Sequence, residues 1–336
     1  MNFLATKPFS ILFTSTLLTG VFMVLSANSW ATIWMGLELN LYSFIPLLLQ
    51  SSLNQEKEAA IKYFLVQALA SGVLLLGALY SFNNPLGNIL IITSLIMKAG
   101  MAPCHYWLPT VMNSISWTMC WVLASIQKIA PLSILCNMLT NQPSTLITFI
   151  AASSSMVGGI GGMNQTQIRA LLAYSSIGHM GWISAGALLS KSLAFLYFSS
   201  YILLISSTIL TLQSMFLYSA SSSPKSYLAP KTLYTATILT LLSMGGLPPL
   251  FGFFPKLMIL YELASFSMLP LMFFLILGST LNLYYYLKLL MNLYFQTPIK
   301  SPLMNFISKP LLPHTIAGLI SLSSLSALLL MYLFII

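Results

Sequence analysis

The sequence predicts an all-α polytopic membrane protein with about eleven transmembrane helices, folded as a single domain over residues 1–336. Two features of composition support this: 58% of the residues are hydrophobic and only 5% are charged. A soluble fold needs about a quarter of its residues charged to cover its surface, so a soluble enzyme is excluded. The third observation is a series of apolar runs of about 20 residues, the length that crosses the hydrocarbon core.

Short polar segments separate these apolar runs along the whole chain. The two longest connections, 219–232 and 297–314, are too short to hold a nucleotide-binding or iron–sulfur domain, so no redox centre is expected in this chain. The predicted spans are approximately 8–26, 29–50, 59–81, 86–111, 114–139, 144–163, 167–189, 192–219, 233–262, 267–296 and 315–336.

The basic residues of the connections predict the orientation. We call the face that holds the N-terminus side A and the opposite face side B. Side B receives only Lys191, whereas side A receives Lys7, Lys57, Lys62, Arg169, Lys225, Lys231, Lys300 and Lys309. Because basic loops stay on the cytoplasmic side, side A is predicted to be cytoplasmic, or the matrix in a mitochondrial protein. The C-terminus then lies outside.

Several other features indicate no chemistry of their own. The net charge of +9 is spread along the chain and forms no dense patch for nucleic acid. Cys104, Cys120 and Cys136 match neither a metal-site nor a redox spacing, so we expect reduced thiols and no metal. The glycines of 158–162 are expected to allow close helix packing. The first apolar run could mimic a secretory signal, but an uncleaved first helix explains it equally well.

Once the charges of the connections are set aside, five ionisable residues stand out within the predicted spans: Glu38, Lys98, Lys128, His179 and Lys256. A charge at the bilayer centre costs about 2.5–3.5 kcal/mol, so the four charged groups need about 10 kcal/mol of compensation from partners or a hydrated cavity. Burial also favours the neutral form of such groups, which allows them to exchange protons. These five residues are the predicted proton-relay site.

Four further ionisable residues have simpler interpretations. Lys288 and Glu262 lie near span ends, where snorkelling to the interface explains them. His105 follows an interruption in span 4 and is either a relay group or a capping group. His314 precedes the last span and is predicted to be structural. His179 itself could be a satisfied structural histidine instead of a relay group, although Tyr174, Ser175 and Ser176 stand beside it in sequence.

Spans 4 and 9 are predicted to be broken, because each contains glycine and several prolines beside a lysine: KAGMAP at 98–103 and GGLPP at 245–249. Broken helices persist at membrane depth only where they line a cavity or are buried in protein. Interrupted spans five apart have opposite orientations, as in an inverted repeat. The repeats are predicted to cover about 8–139 and 144–296, with 315–336 as an extra C-terminal helix.

Six sequence motifs, taken together, resemble those of the antiporter-like membrane subunits of respiratory complex I, most closely the animal mitochondrial members. The resemblance covers nearly the whole chain. The motifs are WMGLELN at 34–40, KAGMAPCHYWLP at 98–109, QKIAP at 127–131, RALLAYSSIGHMG at 169–181, GGLPPLFGFFPK at 245–256 and TLNLYYYLK at 280–288.

The resemblance implies a role for each matching residue. Glu38 matches the family's membrane glutamate, Lys98 the lysine of the first broken helix, Lys128 the connecting lysine and Lys256 the lysine of the second broken helix. Bacterial members carry three further N-terminal helices. Animal members lack these helices, and so does this chain, so the resemblance implies a shortened first half-channel.

The function expected from this resemblance is proton translocation within the membrane arm of NADH:ubiquinone oxidoreductase, driven by redox chemistry in other subunits. The chain itself is expected to bind no cofactor; NADH, FMN, iron–sulfur clusters and ubiquinone would belong to the whole complex. Expected partners are other membrane-arm subunits and lipids, with no nucleic acid or soluble substrate. The implied location is the mitochondrial inner membrane, with the N-terminus in the matrix and the C-terminus in the intermembrane space. A stand-alone cation/proton antiporter and a structural membrane scaffold are the alternatives.

Overall fold

The computed structural model describes residues 8–50, 53–81, 85–138, 144–220, 231–248 and 250–295, and these residues form thirteen helices and no strands. The helices are α1 (Pro8–Leu25), α2 (Trp30–Leu48), α3 (Asn54–Tyr80), α4 (Pro85–Ala99), α5 (Trp107–Ser114), α6 (Trp117–Ala124), α7 (Ile126–Met138), α8 (Ser144–Met163), α9 (Ile168–Leu189), α10 (Lys191–Ala220), α11 (Lys231–Gly245), α12 (Phe253–Ser265) and α13 (Leu269–Phe295).

Ten of the eleven predicted spans coincide with these helices or with pairs of them, so the all-α polytopic membrane fold is confirmed. Seven helical segments of the described residues are long and apolar enough to cross a membrane singly. Among the helices outside these seven is α9, whose middle carries the polar residues of 174–179 and is almost entirely buried. The eleventh predicted span, 315–336, lies outside the described residues.

Span 4 breaks after Ala99, and the predicted interruption is confirmed. Gly100 has a φ of +71°, a left-handed conformation that glycine adopts without a steric penalty. The Met101 N–H donates to the Ile96 carbonyl at 3.1 Å, which is the closing bond of a Schellman motif. The indole N–H of Trp107, the first residue of α5, donates to the Met97 carbonyl at 3.1 Å. Two of the carbonyls that the end of α4 leaves free are therefore satisfied within the protein, which matters where the bilayer core supplies no water.

Span 9 breaks in the same way after Gly245. Gly246 has a φ of +81°, and the Leu247 N–H donates to the Leu242 carbonyl at 3.4 Å. Seven residues separate the two halves in each broken span, 100–106 in one and 246–252 in the other. The matching geometry agrees with an internal repeat, although the repeat relation itself stays a prediction.

Both broken spans resume with a proline as the third residue of the second half. These are Pro109 in α5 and Pro255 in α12. The first four N–H groups of a helix have no intrahelical partner, so a proline there removes no hydrogen bond. The prolines therefore permit the second halves to form, and the breaks themselves occur at Gly100 and Gly246.

Span 5, predicted as one continuous helix over 114–139, contains a third break, so that part of the prediction is wrong. Helix α6 ends at Ala124, and α7 begins at Ile126. Ser125 between them has φ −112° and ψ −76°, outside the usual helical values. Pro131 lies inside α7 and cannot donate to the carbonyl of Gln127. The backbone is therefore irregular on both sides of Lys128.

Two side-chain hydrogen bonds agree with the predicted alternation of the spans. At the start of α9, Arg169 Nη1 donates to the Ile115 carbonyl between α5 and α6, and both segments were predicted on side A. Lys191, at the start of α10, donates to Asn137 Oδ1 near the end of α7 at 3.1 Å, where both were predicted on side B.

Small residues bring α8 into close contact with its neighbours. A Cβ added to Gly158 would stand 2.5 Å from the backbone nitrogen of Gly178 in α9, and one added to Gly162 would stand 2.5 Å from the Tyr285 ring in α13. Neither position tolerates a side chain without movement of its neighbour. The predicted packing role of the 158–162 glycines is thus supported by the contacts they make.

Candidate functional site

Lys98 occupies the last turn of α4, at the first break, and only 6% of its surface is exposed. The amide of Gln67 in α3 donates to its backbone carbonyl at 3.3 Å. Glu38 in α2 is half-buried and lies within electrostatic range of the Lys98 ammonium. The structure therefore places the predicted carboxylate and lysine of the first half on neighbouring parts of different helices, within electrostatic range but without a direct ion pair.

A cavity joins Lys98 to Lys128. It offers about 20 Å³ to the centres of water molecules, and a single water needs roughly 10–15 Å³ by that measure. Its polar lining consists of the two lysines together with Asn40, Tyr63, Gln67 and Gln127. The cavity has room and hydrogen-bonding partners for water between the two predicted relay lysines.

Lys128 is almost completely enclosed, with 2% of its surface exposed. Among the described residues, its ammonium nitrogen has no hydrogen-bond partner, and the same is true of the nearby Gln127 Nε2 and Asn40 Oδ1. The Lys128 nitrogen lies 5.7 Å from the centre of the Tyr201 ring, within the range of a cation–π contact. Unsatisfied polar atoms around a cavity indicate a hydrated site, because buried polar groups are otherwise paired.

His179 occupies the middle of α9 and is 3% exposed. Its Nδ1 pairs with the hydroxyl of Tyr197 in α10 at 2.9 Å, whereas Nε2 has no hydrogen-bond partner in the described part of the chain. Lys128 and Lys256 both lie within electrostatic range of the ring. His179 therefore stands between the lysines of the two predicted halves.

The hydroxyls of Ser175 and Ser176, which precede His179 in the sequence, do not bond to its ring. The hydroxyls of Ser175 and Ser176 donate to backbone carbonyls three residues earlier, at 2.8 and 2.7 Å. This local bond is available to a serine in any helix. The partner of the imidazole comes from α10 instead.

Lys256 lies in the first turn of α12 and is 5% exposed. Its Nζ reaches back across the second break and donates to the Gly245 carbonyl at the end of α11, at 2.9 Å. The same nitrogen lies 6.0 Å from the centre of the Trp182 ring in α9. The interruption of the helix leaves the Gly245 carbonyl without an intrahelical partner, and Lys256 binds this carbonyl.

Each broken helix has a lysine associated with the end of its first half, although the lysine precedes the break in one and follows it in the other. Lys98 belongs to the last turn of α4, and Lys256 Nζ binds the last residue of α11. A helix C-terminus carries partial negative charge and stabilises a cation. The second break therefore binds a cation at the end of its first half-helix, and the end of α4 is electrostatically favourable for one in the same way.

The other ionisable residues that the sequence singles out have different surroundings from the buried lysines and His179. Lys288 is exposed on α13 and Glu262 is half-buried near the end of α12, as snorkelling groups are expected to be. His105 Nδ1 pairs with the Pro103 carbonyl inside the first break at 3.1 Å, which favours the capping interpretation. His314 lies outside the described residues.

The sequence did not single out Tyr197 and Tyr201, which surround His179 and Lys128. The two tyrosines are four residues apart on α10, so they share one helix face, and both are fully buried. The Tyr201 ring centre is 5.3 Å from that of His179. Spacing alone could have shown that the two tyrosines face the same way, but it could not show what they face.

Comparisons with known proteins agree with this geometry. Residues 27–282 match the family model described as NADH:quinone oxidoreductase/Mrp antiporter, transmembrane. The chain is 40% identical over 292 residues to NADH-ubiquinone oxidoreductase chain 2 of Lumbricus terrestris, covering 85% of this chain and 87% of the relative. It is 39% identical over 297 residues to the protein of the same name from Vulpes vulpes, covering 84% of each.

Solved structures show the same fold. A chain of respiratory complex I from Thermus thermophilus with bound aureothin superposes with a TM-score of 0.80 and 25% identity, covering 96% of this chain and 78% of that one. A chain of the Mrp complex from Dietzia sp. DQ12-45-1b superposes with a TM-score of 0.76 at 15% identity, covering 86% and 60%; this second likeness concerns the fold alone. By the family match and the identity to its relatives, the chain belongs to the NADH:quinone oxidoreductase/Mrp antiporter family of membrane proteins.

Proposed function

We propose that the chain translocates protons as a membrane-arm subunit of an NADH:ubiquinone oxidoreductase, driven by redox chemistry in other subunits. One observation carries this proposal. Lys98, Lys128, His179 and Lys256 are all buried, and they form a row that connects the two helix breaks through a cavity and a shared histidine. Buried ionisable groups inside a membrane bundle are expensive, and where they persist they mark ion pathways.

Proton movement along the row follows from the environment of each group. Burial favours the neutral amine, while a nearby carboxylate favours the ammonium. When Glu38 is ionised and close, Lys98 holds its proton; when that interaction weakens, Lys98 releases the proton into the cavity toward Lys128. A change in the position or charge of Glu38 is therefore sufficient to move a proton one step.

A stand-alone cation/proton antiporter is the second candidate, because the Mrp chain shares the fold. Identity distinguishes the two candidates better than fold does. The chain is 40% identical to a relative named as an NADH-ubiquinone oxidoreductase subunit and 15% identical to the Mrp chain. Co-purification with flavin and iron–sulfur absorbance would support the first candidate, and purification without them would support the second.

A purely structural membrane scaffold explains the buried lysines less well. Each charge at membrane depth costs about 2.5–3.5 kcal/mol, and apolar residues would pack the same helices without that cost. The unpaired nitrogen of Lys128 is the strongest argument here, since it stabilises no described contact beyond the ring of Tyr201.

The proposal extends to location, cofactors and partners. The inner mitochondrial membrane is the proposed location, with side A facing the matrix, and the proposed partners are the other membrane-arm subunits and surrounding lipid. Redox cofactors are assigned to those other subunits. Labelling tests the orientation: a membrane-impermeant reagent should reach Lys57 only from the matrix side and Lys191 only from the other side, and the reverse pattern would contradict it.

The function itself is tested by Lys256→Met in the assembled complex, with Lys288→Met as the matched control on the membrane-exposed surface. We expect Lys256→Met to lower the number of protons pumped per electron while the complex still assembles, because methionine keeps the length of the side chain and removes its charge. Lys288→Met should pump normally. Equal pumping by both variants would reduce Lys256 to a structural group.

A further inference from the structure

A second group of buried polar side chains lies beside the lysine row and has no role in it. Asn282, Tyr285 and Tyr286 stand on the inner face of α13, and Tyr201 faces them from α10; each is at most 3% exposed. Asn282 Oδ1 and the three tyrosine hydroxyls have no hydrogen-bond partner among the described residues. Because nearly all buried polar atoms in native proteins are paired, by protein groups or by water, four such atoms together indicate a hydrated path.

These groups lie close to one another in one cluster. Tyr201 lies close to the Ser176 hydroxyl and to Tyr286. Ser175 lies next to both Tyr285 and Tyr286, whose ring centres are 4.8 Å apart. Both serines donate their own hydrogen to the backbone, so their oxygens can act toward a neighbouring hydroxyl or water only as acceptors. The hydroxyls therefore form a sequence of groups that can donate and accept.

The two ends of this sequence lie at different depths. At one end, the Tyr201 ring contacts both Lys128 and His179. At the other end, the Tyr285 ring packs against Gly162, one residue before α8 ends at Met163. Met163 and the Arg169–Ile115 hydrogen bond belong to side A. The path leads from the middle of the row toward side A.

We infer that Tyr285, Tyr286 and Tyr201 form an uptake branch that returns a proton from side A to neutral Lys128; this inference rests on the proposed function. A water at the Gly162 end gives a proton to the chain of hydroxyls and intervening waters. Each hydroxyl passes its own hydrogen forward and receives one from behind, so the tyrosines finish unchanged. Lys128 becomes an ammonium, and the water becomes hydroxide, which side A neutralises.

A packing role alone does not account for these hydroxyls. Phenylalanine fills nearly the volume of tyrosine and buries no polar group, so a core that needed only the rings would be more stable with phenylalanine. The contrast with Tyr284, the preceding residue of α13, is useful: it is 53% exposed and points away from the path.

The tyrosine triplet of α13 supplies its own matched control. Tyr285→Phe and Tyr286→Phe should slow pumping-coupled turnover of the assembled complex at high pH, where protons are scarce, by roughly five- to tenfold, as expected for the loss of one hydrogen-bonded relay group. Tyr284→Phe should match the unchanged complex. Equal turnover in all three variants would overturn the branch.

Two further measurements keep this test separate from the proposed function. If Lys256→Met abolishes pumping while Tyr285→Phe and Tyr286→Phe do not affect it, the branch fails and the proposed function stands. If no lysine variant affects pumping, the proposed function fails first. Independently, a structure of the complex that resolves ordered water should show density within hydrogen-bonding distance of Tyr286 OH and Asn282 Oδ1; a dry cluster at that resolution would refute the branch.

Discussion

Replacing Gly246 with alanine should disable Lys256 without touching the lysine itself. Gly246 has a left-handed backbone conformation, and an added Cβ would stand 2.5 Å from Lys256 Nζ. This contact is too short, so the Lys256 ammonium must shift, and we expect it to lose the Gly245 carbonyl that it binds at 2.9 Å. Gly100, at the equivalent point of the first break, has a similar conformation, but its added Cβ would meet the flexible end of Leu108 at 2.9 Å.

The magnitudes separate the two substitutions. Left-handed backbone costs a non-glycine residue about 1–2 kcal/mol, and this cost applies to both positions. Loss of a hydrogen bond to a charged group adds about 1.5–3 kcal/mol, and this cost applies only to Gly246→Ala. We therefore expect a total of about 1–2 kcal/mol for Gly100→Ala and about 2.5–5 kcal/mol for Gly246→Ala.

Proton pumping by the assembled complex, together with the temperature at which the complex dissociates, measures both effects. Gly246→Ala should pump as poorly as Lys256→Met, and Gly100→Ala should dissociate slightly earlier but pump. The Gly246→Ala/Lys256→Met double variant should be no worse than the worse single variant, because no ammonium remains to displace. Additive losses, or equal pumping by the two alanine variants, would refute the proposed role of the second break.

Three other predictions concern the row and its surroundings. Glu38→Gln and Lys98→Met should each slow coupled turnover, and the double variant should be no slower than the slower single variant if the two act as one couple; strictly additive losses would show independent roles. Tyr197→Phe removes the partner of His179 Nδ1, so pumping per electron should fall while the yield of assembled complex stays normal; an unchanged proton-to-electron ratio would count against His179 as a relay. Lys288→Gln, on an exposed surface, should leave pumping unchanged, and a clear loss would extend the site to α13.

The spans and two of the breaks were predictable because they depend on local chemistry. Apolar length determines which segments cross a bilayer, and a glycine beside prolines cannot continue a helix. Gly100 and Gly246 are therefore visible as break points in the sequence, and the structure ends α4 and α11 there.

The break in span 5 was missed because Ser125 carries no comparable signal. Serine is compatible with a helix interior, and Pro131, which could have drawn attention to this span, lies inside α7 rather than at the break. The Ser125 hydroxyl donates to the Trp121 carbonyl four residues earlier, a bond that can bend a helix but that serines also make in unbroken helices.

The ionisable residues of the site were predictable, but their partners were not. A lysine within an apolar run is conspicuous from its cost alone, which is why Lys98, Lys128 and Lys256 could be found. The tyrosine that bonds His179 is 18 residues away on another helix, and the carbonyl that holds Lys256 is exposed only by the break in its own span. Both contacts are products of the fold.

The most direct test of the central claim is the number of protons pumped per electron by the complex carrying Lys128→Met. Lys128 lies between the two breaks, is 2% exposed and has no hydrogen-bond partner among the described residues, so methionine should be tolerated structurally. The measurement requires electron transfer and proton uptake to be followed in the same vesicles, normalised to the amount of assembled complex. A proton relay through the row predicts a lower ratio in a normally assembled complex; an unchanged ratio would contradict it.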